Sequence, residues 1–173
     1  MSICEELKAG LSFMKKLYVL FPKVDVCWSN HTSRPYRVAA KAGLPENFMK
    51  TYQEWMEAPK GWRWAYRWFY NNVQYIHGVG YSGVNGALNC ALRHRISTVI
   101  GHLHSYGGVL YHASEFDMIF GLNSGCLMDV DSYAARYGKP YKDKPTIGAG
   151  VVVSSREAYF VPMDLGSKTK ISL

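Results

Sequence analysis

The segment STVIGHLHSYGG, residues 97–108, joins an apolar β-branched run to a pair of histidines. Residues 97–100 have the composition of a buried strand, and Gly101 ends the run. His102 and His104 follow this glycine, with a single leucine between them. Because the end of a buried strand is rigid and opens onto a cleft, side chains there are well placed to bind a metal ion or a substrate. The segment therefore predicts a strand that ends at a binding site.

Two further strands end in side chains that can bind metals. The run VDVCWSNH, residues 24–31, ends in Asn30 and His31, and the run VQYIHG, residues 73–78, carries His77. Four of the six histidines of the chain lie at these three strand ends. The repetition of one design in three places favours a metal or substrate site.

Each of these residues also has an ordinary structural interpretation. Asn30 in a turn can bond nearby backbone as an Asx turn, and His77 before a glycine can be a hydrogen-bonded structural histidine. His102 and His104 can point to opposite faces of an extended segment, since side chains alternate along a strand. The three strand ends in order favour the functional interpretation over these alternatives.

Helical and extended patterns divide the chain unevenly. Apolar residues at helical spacing and the positions of prolines predict helices at residues 2–21, 35–42, 45–56 and 87–94. Alternating or β-rich runs predict strands at residues 24–28, 62–70, 73–76, 97–100, 109–112, 116–121, 147–153 and 158–162. Helices dominate the first third and strands the last half, so we expect one layered α/β domain of the α+β type over residues 1–173.

The charge balance and the aromatic content indicate what kind of molecule the protein binds. The 173 residues include 20 Lys and Arg against 13 Asp and Glu, and this net charge of +7 favours an anionic partner such as a nucleotide or a nucleic acid. The segment WRWAYRWFY, residues 62–70, interleaves arginines with rings that can stack on bases. A scatter of charges on a basic surface, and a strand with one packed aromatic face, are the structural alternatives.

Cysteine spacing bears on the kind of metal site, and the N-terminal sequence bears on the cellular location of the protein. The four cysteines form no CxxC pair, which argues against a thiolate zinc site and against a disulfide framework. The N-terminus carries charged residues in a helical pattern, without the apolar core of a signal peptide. No apolar run reaches the length of a membrane span. We therefore expect a cytoplasmic protein that has no membrane partner.

In chain order, Ser29-Asn30-His31-Thr32, His77-Gly78 and Gly101-His102-Leu103-His104 resemble the last three motifs of the calcineurin-like metallophosphoesterases. Those motifs are written G-N-H-D/E, a single H, and G-H-x-H. The later Gly125-Cys126-Leu127-Met128-Asp129 resembles the C-terminal half of phage-encoded members, which would act in the host cytoplasm. The resemblance covers essentially the whole chain, but only the back part of the family's domain. The first two motifs, D-x-H and G-D-x-x-D, are absent.

The resemblance implies part of an α/β/β/α sandwich with mixed sheets, and a binuclear site at the strand ends between them. Asn30, His77 and His102 would bind one metal ion, and His104 would bind the other. Imidazole nitrogen and amide oxygen suit Mn, Fe, Zn or Ni. Two such ions about 3.5–4 Å apart can share a hydroxide that attacks phosphorus in line.

The same resemblance assigns two further roles. His31 would protonate the leaving group or stabilise the phosphate as a cation, because imidazole titrates near neutral pH. Arg34 would contact the phosphate of the substrate through a charge-assisted hydrogen bond. Thr32 stands where the family has an acid; its hydroxyl can hydrogen-bond the imidazole, without raising its pKa as a carboxylate would.

In the family, the two absent motifs supply the bridging aspartate and most ligands of the first metal. We therefore expect weak or mononuclear metal binding, and a partner chain or homo-oligomer that completes the fold. The predicted function is one part of a phosphoesterase, inactive or incomplete as an isolated chain, that hydrolyses a phosphomonoester or phosphodiester such as a nucleotide or DNA. The alternative is a non-catalytic relic that binds nucleic acid or protein.

Overall fold

The computed structural model describes residues 3–128 and 143–164, so Asp129 lies outside the described residues. The chain divides into two compact units, residues 1–66 and residues 67–173. The assignment of residues 1–173 to a single domain stays a prediction. Among the described residues, no helix combines the length and the apolar character that a membrane crossing needs.

The first unit combines helices with a two-stranded parallel sheet. Its elements are α1 (Ile3–Leu20), β1 (Val24–Cys27), α2 (Arg34–Lys41), a short 3₁₀ helix (Glu46–Phe48), α3 (Tyr52–Trp55) and β2 (Trp62–Ala65). The two strands pair in register from Val24 opposite Trp62 to Cys27 opposite Ala65. The helices predicted at residues 2–21 and 35–42 and the strand predicted at 24–28 are confirmed to within one residue at each end.

Two aromatic rings join α1 to β2. The centroids of Tyr18 and Trp62 are 4.8 Å apart, with the ring planes at 75°. The indole N–H of Trp62 donates to the Phe21 carbonyl at 2.7 Å, and the Tyr18 hydroxyl donates to the Met56 carbonyl at 2.8 Å. The polar end of each ring is thus hydrogen-bonded while its apolar body is removed from water. These contacts fix α1 against β2 and the end of α3.

The second unit contains a five-stranded mixed sheet. Its elements are β3 (Arg67–Tyr70), β4 (Val73–Ile76), α4 (Gly86–His94), β5 (Ser97–Ile100), β6 (Gly107–Ala113), β7 (Met118–Ser124), β8 (Gly148–Ser154) and β9 (Glu157–Pro162). The strand order is β3-β4-β5-β7-β6, and β5 is parallel to both of its neighbours. The two outer pairs are antiparallel, and β8 and β9 form a separate antiparallel hairpin.

The five-stranded sheet separates α4 from the β8–β9 hairpin. On β7, Phe120 and Leu122 point to one face and pack in a core cluster with Ala158 of β9. Gly121 lies between them and faces α4, where an added Cβ would lie 2.2 Å from the Leu88 backbone nitrogen. Glycine therefore lets the backbone of α4 lie directly on the sheet. The second unit has three layers: helix, mixed sheet and hairpin.

The central strand β5 has partners on both of its faces. Ile100 packs in a second core cluster with Ala87 and Cys90 of α4. On the hairpin side, the Ser97 hydroxyl donates to the Ser155 carbonyl at 2.8 Å. A parallel strand covered on both faces favours a β-branched run over strict polar alternation. The mixed α/β class with mixed sheets is therefore confirmed, and β4 and β5 have the predicted bounds.

Two of the predicted elements are wrong. The helix predicted at residues 45–56 is interrupted, because Thr51 has an extended backbone and caps α3. Its hydroxyl accepts from the Glu54 N–H at 3.2 Å, while the Glu54 carboxylate accepts from the Thr51 N–H at 2.7 Å. This capping box begins a new helix inside the apolar pattern. The strand predicted at residues 62–70 divides at Tyr66 into β2 and β3, which pair with different strands.

Candidate metal centre

The parallel strands β4 and β5 bring two of the predicted ligands to one edge of the sheet. The two strands are in register, and Ile76 lies opposite Ile100 where both end. The Gly101 N–H donates to the His77 carbonyl at 3.2 Å, which continues the ladder past the strands. His77 and His102 follow directly, so the register of two short strands places their side chains side by side.

The two imidazoles are in direct contact. Nδ1 of His102 lies 3.1 Å from Nε2 of His77. The ring centroids are 4.9 Å apart, and the ring planes meet at 71°. Both residues are half-buried. A neutral imidazole has one N–H donor and one acceptor nitrogen, so one ring donates to the other.

The same distance suits two ligands of one metal ion. For nitrogens about 2.0–2.1 Å from a metal, the N–N separation is about 2.9 Å at a right angle and about 3.4 Å at a tetrahedral angle. The observed 3.1 Å lies between these two values. The nitrogens of His77 and His102 are therefore spaced as neighbouring ligands, and their chemistry fits a borderline transition metal.

A glycine allows the chain to turn away after the first histidine. Gly78 is buried and has a positive φ of 95°. A Cβ at this position would lie 2.8 Å from Cβ of Ile100. Both the backbone conformation and the close approach favour glycine. The sequence His77-Gly78 thus combines a candidate ligand with the turn that fixes its position.

Two hydrogen bonds from Thr146 hold the loop that carries His104. The His104 carbonyl accepts from the Thr146 N–H at 2.8 Å, and the Thr146 hydroxyl donates to the Ser105 carbonyl at 3.0 Å. Among the residues that the structure describes, no group of three or more His, Cys, Asp or Glu side chains could hold a metal ion. His104 is therefore not a third member of the histidine pair.

Asn30 and His31 belong to the first unit, in a turn that closes on itself. The Ser29 N–H donates to the Thr32 hydroxyl at 2.8 Å, and the Thr32 N–H donates to the Ser29 hydroxyl at 3.0 Å. The Thr32 hydroxyl gives its one proton to the Ser29 carbonyl at 3.0 Å. Thr32 thus serves the turn, rather than donating to the imidazole of His31. Arg34 follows as the first residue of α2 and is exposed.

No sequence motif indicated a cavity of about 460 Å³ in the first unit. Its walls include four rings, one guanidinium and one amide: Trp28, Tyr36, Tyr52, Tyr66, Arg37 and Gln53. We call it the aromatic cavity. Its residues are spread over nearly 40 positions in several elements, which explains why no local pattern marks them. The only sequence signal is the frequency of aromatic residues in this part of the chain.

Comparisons of the chain with protein-family models, with curated proteins and with solved structures gave no match. The geometry of the site is therefore the basis for its chemistry. That geometry is a contacting pair of imidazoles at the ends of two parallel strands, in a chain of net positive charge.

Proposed function

We propose that this chain is one part of a metal-dependent phosphoesterase, in which His77 and His102 bind one metal ion. The observation that supports this proposal is the 3.1 Å separation of their nitrogens at the ends of adjacent parallel strands. Mn, Fe, Zn and Ni are the ions that suit this donor pair. When bound, such an ion polarises a phosphoryl oxygen and lowers the pKa of a bound water. The substrate is a phosphomonoester or a phosphodiester.

The remaining predicted residues keep their roles as proposals. Asn30 is the amide ligand, and His104 binds the second ion. His31 protonates the leaving group, and the exposed guanidinium of Arg34 holds a phosphate oxygen. The layering of the second unit as helix, sheet and hairpin is consistent with part of a metallophosphoesterase-like sandwich. The proposed location of the protein is the cytoplasm.

A partner chain is part of this proposal. Two neutral imidazoles leave the charge of a divalent ion uncompensated, and the family's missing aspartates would neutralise it. The outward face of the β8–β9 hairpin also carries apolar side chains exposed to solvent: Val151, Val153, Tyr159 and Val161. An exposed apolar patch of this kind is typical of a surface that is covered in an assembly. The partner supplies the carboxylates and covers apolar surface.

The first arm of the test is metal binding to the histidine pair. Calorimetric titration with Mn²⁺ and with Zn²⁺ should give weak binding to the wild type, because two neutral imidazoles leave the charge of the ion uncompensated. His77→Ala and His102→Ala should each abolish it. His112→Ala is the matched control, since His112 is exposed on β6 and should leave binding unchanged. Equal affinity in His102→Ala and the wild type would contradict the metal assignment.

The second arm is catalysis. With Mn²⁺, hydrolysis of bis(p-nitrophenyl) phosphate should be near background for the isolated chain. It should rise when a chain that carries D-x-H and G-D-x-x-D is added. His102→Ala should lower that rate at least about a hundredfold, because even the loss of an outer-shell partner of a metal site costs about 10- to 100-fold. An inert mixture, in which His102→Ala changes nothing, would remove the enzyme proposal.

The second candidate function is binding of single-stranded nucleic acid, and β3 favours it. β3 is an edge strand of the sheet, and Phe69 is exposed on it. The Arg67 guanidinium lies 5.9 Å from the centroid of the Phe69 ring. Exposed rings beside arginines suit bases and phosphates. Binding of an oligonucleotide that weakens steeply with salt would support this candidate, and undetectable or salt-insensitive binding would exclude it.

A further inference from the structure

We propose that the aromatic cavity of the first unit binds a nucleotide, with the base among its rings and the phosphate at Arg37. This inference is independent of the histidine pair, because all of the residues that carry it lie within residues 28–66. The volume of about 460 Å³ is in the range of small-ligand sites, about 300–1,000 Å³. A single nucleotide is a ligand of this class, whereas a duplex is not.

Trp28 is the centre of the ring cluster. Its centroid lies 6.1 Å from that of Tyr52 and 6.5 Å from that of Tyr36, both nearly edge-on. Tyr66 lies 6.4 Å away at a smaller angle of 36°. Tyr66 is 79% exposed, so most of its ring surface is open to solvent. A base can therefore stack on this ring without displacing another side chain.

The packing of the other rings makes the cavity wall rigid. Tyr36 stacks on Trp55 with centroids 5.6 Å apart and planes at 12°. The Tyr36 hydroxyl donates to the Lys50 carbonyl at 3.0 Å. Burial raises the pKa of the Tyr52 hydroxyl, in keeping with a ring set into the wall. A rigid wall lowers the entropy cost of binding a planar ligand.

Arg37 makes the cavity suited to an anion. It lies on α2, is exposed, and donates from Nη2 to the Asn30 carbonyl at 3.0 Å. A guanidinium has five N–H donors in a planar fork that matches phosphate, so the side chain is oriented by one bond while others remain for a ligand. The residues that line the cavity, all of them described, include Arg37 and no Asp or Glu. The positive charge of Arg37 therefore disfavours a cationic ligand and favours an anionic one.

Gln53 adds a group that can read the edge of a base. It is half-buried in the cavity wall and offers an amide donor and an amide acceptor. Stacking rings, one amide and one guanidinium together match the three chemical parts of a nucleotide, namely the ring face, the ring edge and the phosphate. The ligand can be a free nucleotide or a nucleotide within a single strand, and the test below separates these sources.

The test is calorimetric titration of the full chain with AMP, adenosine, inorganic phosphate and a ten-residue oligothymidylate. We expect AMP to bind, and adenosine and inorganic phosphate each to bind at least about tenfold more weakly. Tyr66→Ala should weaken AMP about 5- to 150-fold, the range for loss of one stacking ring. Arg37→Gln should weaken AMP while leaving adenosine unchanged. If the oligonucleotide binds more tightly than AMP, the ligand is a nucleotide within single-stranded nucleic acid rather than a free nucleotide.

The controls use exposed residues of the same unit. Phe13→Ala removes an exposed ring on α1, and Lys41→Gln removes a positive charge from α2. Both should bind AMP as the wild type does. Tyr66 and Arg37 are exposed, so their variants should fold, which circular dichroism will verify.

Absence of binding to AMP and to the oligonucleotide at millimolar concentration would overturn the proposal. So would wild-type affinity in both variants. The titration is carried out without divalent metal ions, which separates this result from the phosphoesterase test.

Discussion

Two histidines in the second unit have different neighbours, and we propose different roles for them. Nδ1 of His94 lies 2.9 Å from the side-chain nitrogen of Gln74, which is almost fully buried, and Nε2 lies 3.4 Å from the Tyr81 hydroxyl. His94 thus satisfies a buried amide that would otherwise cost stability. His77, at a strand end, contacts the imidazole of His102 in a geometry that two ligands of one metal ion can share. Position in the fold, rather than residue type, separates these roles.

Cys27 gives a prediction at the scale of one residue. Burial, and then the nearby Asp25 carboxylate, raises the pKa of the Cys27 thiol from 9.0 to about 11. Between these pH values the unfolded chain loses a proton that the folded chain keeps. The free energy of unfolding should therefore fall as pH rises from 9 to 11, by less than about 2 kcal/mol because solvent screens this half-buried group, with little contribution below pH 9.

Urea denaturation at pH 8, 9, 10 and 11 measures this effect. Cys27→Val is the matched variant, because it keeps a half-buried apolar side chain without a titrating group. The stability of the variant should fall less steeply than that of the wild type above pH 9. Parallel curves for the two proteins would mean that Cys27 ionises equally in the folded and unfolded chains.

At the scale of elements, the contact between α4 and β7 depends on one missing side chain. A Cβ on Gly121 would lie 2.2 Å from the Leu88 backbone nitrogen, which no rotamer change can relieve. Gly121→Ala should therefore destabilise the protein by about 3 kcal/mol, the upper part of the range for overpacking. Because α4 also covers β5, the variant should also weaken metal binding at His77 and His102.

Gly10 provides the control for this substitution. It lies within α1, and an added Cβ would meet no atom within 4 Å. Gly10→Ala should stabilise the protein by about 0.5–1 kcal/mol, because alanine is the better helix former. The midpoints of urea denaturation for the two variants should move in opposite directions. A neutral Gly121→Ala would show that α4 can move away from the sheet at little cost.

At the scale of the whole molecule, exposed apolar surface predicts association. Val151 and Val161 are 44% and 51% exposed on the outward face of the β8–β9 hairpin. Without a partner to cover this face, the chain should self-associate at micromolar concentration. Val151→Lys should lower the average mass in sedimentation equilibrium, whereas Val19→Lys on α1 should not. A wild type that is monomeric at 100 µM would contradict the assignment of this face as an interface.

Local sequence determined most of the elements of this protein. The β-branched run of residues 97–100 specified β5 to the residue, because a strand covered on both faces needs that composition. Spacing alone did not detect the break before α3, since the reciprocal bonds of Thr51 and Glu54 begin a new helix within an apolar pattern. The alternation at residues 62–70 predicted which side chains lie on the same side of a strand. It did not predict that β2 and β3 pair with different strands.

The order of the residues predicts that histidines end these strands, and that the chain is a mixed α/β protein. Tertiary structure alone decided that His77 and His102 touch, because their contact depends on the parallel register of β4 and β5. It also assembled the aromatic cavity from Trp28, Tyr66 and Arg37, which share no local pattern. Helix caps and side-chain spacing act over a few residues, whereas the pairing of distant segments is set by which surfaces can be buried together.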